Sequence, residues 1–215
     1  MRRWTLAAAG LLVLCTSTGC NILGPAAYYL GPRRIQKAEF KLTEGRLAVV
    51  IEAVRPEQDN PVFTQALFDK LAEIFRQRKI ESELVPHRAV LELRQAHPDF
   101  DKWSLQRIGR ELRAEQVLYL RIENLQLRET PDHPLVTPEI SLRSKVVGVH
   151  APTPHARLWP EEAEGRAISC KRPSKEATDT ELIDSEAWKL AHDTAHLVSH
   201  PFFDVDLEEP TPREP

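Results

Sequence analysis

Apolar positions in the first half of the chain alternate between continuous runs and helically spaced stripes. The run from Leu47 to Ile51 contains no polar residue, as expected of a strand that is covered on both faces. Asn60 then offers an N-cap directly before Pro61, a residue favoured at the first helical position. Apolar residues recur at helical spacing from Phe63 to Phe75, which predicts a helix with one buried face.

Four further segments continue this half of the chain. Residues 82–86 predict a short strand and residues 88–95 a short helix that ends before Pro98. Residues 102–113 predict a third helix, which leads into a strand over residues 116–123. Strands that alternate with helices are joined by crossover connections, so this half predicts a largely parallel sheet.

The second half changes to short extended segments separated by proline-rich breaks. Residues 139–150, 157–160 and 167–170 predict antiparallel strands that complete the same sheet. A last helix is predicted over residues 180–199, before Pro201. Its predicted buried stripe comprises Ala187, Trp188, Ala191, Ala195 and Val198. The predicted fold class is therefore α/β, a single mixed sheet with a parallel first half, an antiparallel second half and about four helices packed on it.

The N-terminus has the three parts of a secretory signal. Arg2 and Arg3 provide the positive start, and an apolar run covers residues 6–14. In a helix this run reaches only about 14 Å, against a bilayer hydrocarbon core of about 30 Å. Small residues at positions 17–19 then precede Cys20. These features predict a signal peptide over residues 1–19 that is cleaved before Cys20.

The Gly19-Cys20 ending resembles a lipobox, in which the cysteine thiol receives a diacylglycerol and becomes the mature N-terminus. A leucine is usual where Ser17 stands, and the alternative is an ordinary signal peptide with a chance cysteine. Two or three acyl chains hold a protein firmly on a membrane. Cys20 is thus the predicted lipidation site of an envelope protein that faces the periplasm, and Asn21 favours the outer membrane slightly.

The remaining chain divides into three predicted parts. Residues 20–44 contain two Gly-Pro steps and read as a lipidated tether. Residues 45–203 form the α/β domain. Residues 204–215 are acidic and proline-rich, as is typical of a disordered tail.

Charge and cysteine content narrow the function. The net charge is -3, and loss of Arg2 and Arg3 with the signal changes it by two, to -5. An acidic protein of this kind is not expected to bind nucleic acid, which requires basic surface.

Once Cys15 has left with the signal and Cys20 carries lipid, Cys170 is the sole remaining cysteine and has no internal disulfide partner. Its strand-like surroundings favour a half-buried thiol over a redox or nucleophilic role.

The strongest candidate for chemistry is the pair His192 and His196. Histidines at positions i and i+4 share a helix face and suit one Zn²⁺, as in the His-Glu-x-x-His metalloproteases, where the glutamate is the general base. Here Asp193 stands at the glutamate position and is shorter, while His200 lies one turn further on. The alternative is a packing helix whose histidines border its apolar stripe.

Other catalytic signatures are absent from the sequence. It contains no glycine-rich phosphate loop, no Gly-x-Ser-x-Gly elbow and no Cys-x-x-Cys pair. No catalytic residue and no cofactor is therefore predicted. Trp103 and Trp159 suit either a partner interface or the core, and the core is favoured in a domain of this size.

The order of elements from residue 46 to residue 200 resembles a small α/β domain of envelope proteins. Leu112, Ala114, Val117 and Leu118 match a Leu-x-Ala-x-x-Val-Leu step from helix to strand, and Leu158-Trp159 echoes a later Leu-Trp pair. This domain occurs in the curli-secretion lipoprotein, the activators of penicillin-binding proteins and the N-terminal part of the Tol-system propeller protein. The glycines usual at both places are missing here. The resemblance implies an α/β fold and an envelope setting.

Together these features predict a membrane-anchored envelope lipoprotein that has a non-catalytic interaction or assembly role with another envelope protein. The alternative is a metal-binding protein or zinc hydrolase that uses His192 and His196. An oligomeric pore ranks last, because the sequence lacks paired ten-residue segments with the required alternation.

Overall fold

The computed structural model describes residues 35–130, 133–176 and 179–206. The predicted signal peptide, Cys20, the tether as far as residue 34 and the tail from residue 207 lie outside the described residues. The chain divides into two compact units, residues 1–36 with 205–215, and residues 37–204. In the first unit, strand β1 (Ile35–Gln36) pairs antiparallel with the last strand (Val205–Asp206).

The second unit contains the sheet and the helices. Its strands are β2 (Gly45–Ala53), β3 (Ser82–Leu84), β4 (Gln116–Arg128), β5 (Leu135–Gly148), β6 (Arg157–Trp159), β7 (Arg166–Lys171) and β8 (Lys175–Glu176), so the last strand of the chain is β9. Its α-helices are α1 (Pro61–Gln77), α2 (His87–Ala96), α3 (Leu105–Glu111) and α4 (Thr180–Ser199).

The sheet is mixed, and its strand order is β3-β2-β4-β5-β6. Strand β2 pairs in parallel with β3 and β4, whereas β4 and β5 are antiparallel. The other edge of β5 pairs antiparallel in turn with β6, β7 and β8. The predicted α/β class, with its parallel first half, antiparallel second half and four helices, is confirmed.

One face of the sheet is covered by two long helices and holds the larger core. Helices α1 and α4 pack over this face, and Asn60 caps α1 by accepting a hydrogen bond from the amide of Phe63, with an N···O distance of 2.9 Å. The β4 side chains that point into this core are Leu118, Leu120 and Ile122, and all three are buried. Burial of these large apolar side chains is the main force that holds the layers together.

The opposite face is covered at one end only. There α2 and α3 pack over Ala48, Val50 and Val117, which form the second core. The absent Cβ of Gly109 lets α3 approach the sheet, since a Cβ at that position would lie 2.3 Å from Cγ2 of Val149. Further along β4 and β5 the same face carries charged side chains, and it is there that the candidate site lies.

Several element boundaries differ from the sequence prediction. The predicted helix over 102–113 is a 3-10 turn over Phe100–Lys102 followed by α3, because Ser104 starts a new helix by accepting a hydrogen bond from the amide of Arg107. Strands β4 and β5 are longer than predicted and remain paired out to Arg128 and Val136. Apolar residues alternate with polar ones at these outer ends, where Val136 and Ile140 are buried and Leu125 packs against the larger core.

The tryptophans fall on both sides of the core boundary. Trp103 and Trp159 are buried, which confirms their predicted place in the core. The prediction for Trp188 was wrong, because its side chain is 45% exposed. The other predicted stripe residues, Ala187, Ala191, Ala195 and Val198, are buried, and Leu190 and Thr194 belong to the same buried face of α4.

Two apolar residues within the predicted tether pack against the domain. Leu42 is buried in the larger core, and Phe40 is partly buried against it. The amide of Phe40 also donates to the carbonyl of Pro201, with an N···O distance of 3.1 Å. The packed domain thus begins before the predicted boundary at Gly45. Phe40 and Leu42 are isolated apolar residues, and no local pattern in the sequence indicates the distant residues that they contact.

A buried carboxylate joins α4 to the segment between β7 and β8. Glu186 is 4% exposed, and its carboxylate lies 2.9 Å from Nζ of Lys189, 3.1 Å from Nζ of Lys175 and 3.5 Å from Nε of Arg172. Burial raises the pKa of Glu186, but the hydrogen bonds from Lys189 and Lys175 and their positive charges outweigh it, so the pKa is lowered. The ionised form is therefore the one that the folded state favours.

We expect a Glu186→Gln variant to lose about 1–2 kcal/mol of unfolding free energy at pH 7, through loss of charge-assisted hydrogen bonds to partly exposed cations. A group whose pKa is lowered in the folded state stabilises the protein at pH values above its pKa in the unfolded state, here 4.5. This contribution is lost as the pH falls through the folded-state pKa. Urea unfolding between pH 7 and pH 3 should show a shallower acid decline in the variant. Glu162→Gln, at an exposed loop position, is the control and should match the parent protein.

Candidate functional site

The uncovered end of the second sheet face forms a cleft of about 310 Å³. Tyr119 pairs with Lys145 across β4 and β5, and Arg121 pairs with Arg143. Side chains of directly paired residues stand on the same face of a sheet, so these four project together. The full lining is Tyr119, Arg121, Glu123, Arg143, Lys145, Ala163 and Glu164.

Tyr119 lies at the inner end of the cleft as a neutral hydrogen-bond donor. Its hydroxyl donates to Oε2 of Glu52 over 2.8 Å, and Oε1 of the same carboxylate lies 3.5 Å from Nη2 of Arg94. Burial and the neighbouring negative charge of Glu52 raise the pKa of Tyr119 far above its usual value. The phenol therefore stays protonated and does not suit the role of a general base.

Arg143 is held between two carboxylates. Its Nε donates to Oε1 of Glu123 over 2.9 Å, and Nη1 lies 3.2 Å from Oε2 of Glu164. The positive charge of Arg143 is thus balanced within the cleft.

Among the described residues, neither Lys145 nor Arg121 forms an ion pair with a carboxylate. Nζ of Lys145 lies 5.1 Å from the ring centroid of Tyr119, a cation–π contact. Burial lowers the pKa of Lys145, and the neighbouring positive charges of Arg121 and Arg157 lower it further. Within residues 35–130, 133–176 and 179–206, no carboxylate lies within 4.0 Å of the Lys145 or Arg121 side-chain nitrogens. The cleft therefore has an excess of positive charge on this side.

The structure places the predicted histidine pair on the outer side of α4. His192 is half-buried, with its ring centroid 3.5 Å from that of Trp188, while His196 is exposed. Asp193, the position of the would-be general base, is paired with Arg172. In the part of the chain that the structure describes, no three or more His, Cys, Asp and Glu side chains are grouped to hold a metal ion. The metal-binding alternative stays a prediction.

Cys170 lies half-buried on β7, as the sequence predicted. Burial raises the pKa of its thiol, and the negative charge of Asp193 raises it further. A thiol with a raised pKa is mostly protonated at neutral pH and is a poor nucleophile.

The cleft residues were missed at the sequence level, although a weak signal was present. Tyr119, Arg121 and Glu123 alternate with apolar residues on β4, and Arg143 and Lys145 do so on β5. Such alternation predicts one polar face for each strand. That the two polar faces meet follows from the antiparallel register, which the sequence did not supply.

Comparisons with known proteins identify no family for the chain. No family model matches it, and neither does any curated protein. Among the described residues, no helix is both long and apolar enough to cross a bilayer.

Three solved structures illustrate what the chain resembles. The PelC dodecamer from Paraburkholderia phytofirmans is 13% identical over 79% of this chain and 95% of its own, with a TM-score of 0.35. Lipoprotein GNA1162 from Neisseria meningitidis is 12% identical over 72% of this chain and 99% of its own, with a TM-score of 0.41. Protein XCC0632 from Xanthomonas campestris is 11% identical over 74% of this chain and 84% of its own, also with a TM-score of 0.41. The predicted resemblance to curli-secretion, penicillin-binding-protein-activator and Tol-propeller domains stays a prediction.

Proposed function

We propose that the protein is a bacterial envelope lipoprotein, held on the membrane by a lipid on Cys20, whose α/β domain binds another envelope component and catalyses no reaction. The observation that carries the binding role is the cleft on β4 and β5. It combines fixed cations with hydrogen-bonding groups, while Tyr119 is locked as a donor and Arg143 is balanced by Glu123 and Glu164. Among the residues that line it, none is a serine, cysteine or histidine that would suit nucleophilic catalysis.

The proposed anchor and the cleft work together. A lipid on Cys20 concentrates the domain at the periplasmic surface of a membrane, the outer membrane being slightly favoured by Asn21. Binding to a partner at the same surface then becomes effectively intramolecular, so a weak contact is sufficient. We propose that this partner is another envelope protein.

The anchor is tested by the intact mass of the protein extracted from membranes. We expect a chain cleaved before Cys20 that carries acyl chains, and a Cys20→Ala variant that has no lipid and leaves the membrane fraction. Cys15→Ala is the matched control and should remain lipidated, because Cys15 lies in the cleaved signal. An unmodified mature chain from the parent protein would contradict the anchor.

The binding role is tested in the same membranes with a photoreactive residue at Glu164, which is exposed at the rim of the cleft. We expect a specific adduct that depends on Cys20. A photoreactive residue at Arg88, exposed on α2, is the control and should give none. Equal adducts at both positions, or none at either, would contradict an interaction through the cleft.

A further inference from the structure

We propose that the cleft binds a sugar-sized molecule through one oxyanion, a phosphate or carboxylate group held between Arg121 and Lys145, while Glu123 and Glu164 accept hydrogen bonds from its hydroxyl groups. This inference rests on the binding role proposed for the cleft and is independent of the lipid on Cys20.

The charge balance of the cleft supports an anionic ligand. Two carboxylates, from Glu123 and Glu164, are already engaged by Arg143. The nearby Glu52 is shared between Tyr119 and Arg94, so it too is engaged. These pairings leave the positive charges of Arg121 and Lys145 without a carboxylate partner among the described residues.

Arg157 adds a third positive charge near Arg121 and Lys145. Nη2 of Arg157 donates to the backbone carbonyl of Glu161 over 2.9 Å, and Arg157 forms no ion pair with any residue that the structure describes. Arg157 and Arg121 both lie close enough to Lys145 to lower its pKa. Arg121 and Arg157 are exposed and Lys145 is half-buried. Clustered cations repel one another, and a bound anion relieves that repulsion. Guanidinium groups also match the geometry of phosphate and carboxylate oxygens, which they bind in a bidentate manner.

The size and the carboxylates of the cleft restrict the rest of the ligand. A volume of about 310 Å³ lies at the small end of ligand sites. Glu123 and Glu164 also line the cleft, and their carboxylate oxygens only accept hydrogen bonds. A ligand that presents several hydroxyl donors and one oxyanion complements both the carboxylates and the cations, and this combination is typical of a sugar phosphate or a sugar acid.

The test is calorimetric titration of the full lipidated protein, in a neutral detergent, with glucose 6-phosphate, glucuronate, glucose and inorganic phosphate. We expect saturable binding of glucose 6-phosphate or glucuronate at least about 10-fold tighter than that of glucose, as follows from a charge-assisted hydrogen bond. The sugar that binds more tightly identifies the oxyanion as phosphate or carboxylate. Inorganic phosphate that binds as tightly as both would overturn the sugar-sized ligand.

Variants separate the cleft from the rest of the surface. Arg121→Gln and Lys145→Gln should each weaken binding of the preferred sugar by about 10-fold or more, with unchanged circular dichroism and melting temperature. Arg110→Gln, at an exposed position on α3 that does not line the cleft, should bind like the parent protein. The proposal is overturned if no anionic sugar binds, if glucose binds equally well, or if the control weakens binding as much as the cleft variants. Each of these results leaves the lipid anchor untouched, because intact mass measures the anchor separately.

Discussion

Replacement of Trp159 by alanine is expected to destabilise the domain by about 3–5 kcal/mol, the usual cost of truncating a large aromatic residue in a core. Trp159 is 6% exposed and ends β6, a strand of three residues that pairs with β5 at Val146. Its ring packs edge-on against Phe202, with centroids 5.3 Å apart. Truncation leaves a cavity between the sheet and the segment that follows α4, which such short elements cannot close.

Trp188→Ala is the matched control for this prediction. Trp188 is 45% exposed on α4, so its truncation should change the unfolding free energy by no more than about 1 kcal/mol. Urea denaturation followed by circular dichroism measures both variants, because that signal does not depend on the tryptophan removed. Equal losses in the two variants would contradict the assignment of Trp159 to the core and of Trp188 to the surface.

Gly109→Ala is expected to destabilise the domain by about 1–3 kcal/mol, although alanine in a helix is ordinarily better than glycine by up to about 1 kcal/mol. The new Cβ would lie 2.3 Å from Cγ2 of Val149 and 3.0 Å from Cγ2 of Val117. Val117 on β4 and Val149, directly after β5, are both buried in the second core with α3. Either the helix or the sheet must therefore shift, at the expense of packing in the second core.

A double-mutant cycle with Val149→Ala isolates this contact. The second change removes the methyl group that the new Cβ would meet, so the two substitutions together should cost less than the sum of each alone. The coupling should be about 0.5–3 kcal/mol, as is typical of residues in direct contact. Strict additivity in urea unfolding would show that Gly109 is not needed for the close approach of α3.

Much of the fold was predictable because its signals are local. The run from Leu47 to Ile51 and the helical spacing after Asn60 predicted β2 and α1, and both are present. Strand β2 lies in the interior of the sheet with helices on both faces, which is why its sequence is continuously apolar. The alternation of helices and strands likewise predicted a largely parallel first half, and β2 does pair in parallel with β3 and β4.

Other features were not predictable because they depend on contacts between distant residues. Trp188 is a large aromatic residue of the kind often found in a core, but the rotation of α4 on the sheet places Leu190 and Thr194 inward instead. The outer end of β4 carries Leu125 and Leu127, and only its pairing with β5 places both against the larger core. Apolar spacing alone does not determine the rotation of a helix or the pairing of a strand, because a shift of one residue fits the same spacing.

The sequence by itself determined the α/β class, the order of the main elements and the alternation of polar and apolar residues along β4 and β5, because each of these follows from periodicity within a short segment. It also provides the basis for the proposed anchor at Cys20. Only the tertiary structure decided that α2 and α3 cover one end of the second sheet face and leave the other end open. The register of β4 against β5 then brings Arg121 and Lys145 to one cleft. Charges from separate strands act together only when they are close in space, and distance in space is a property of the fold.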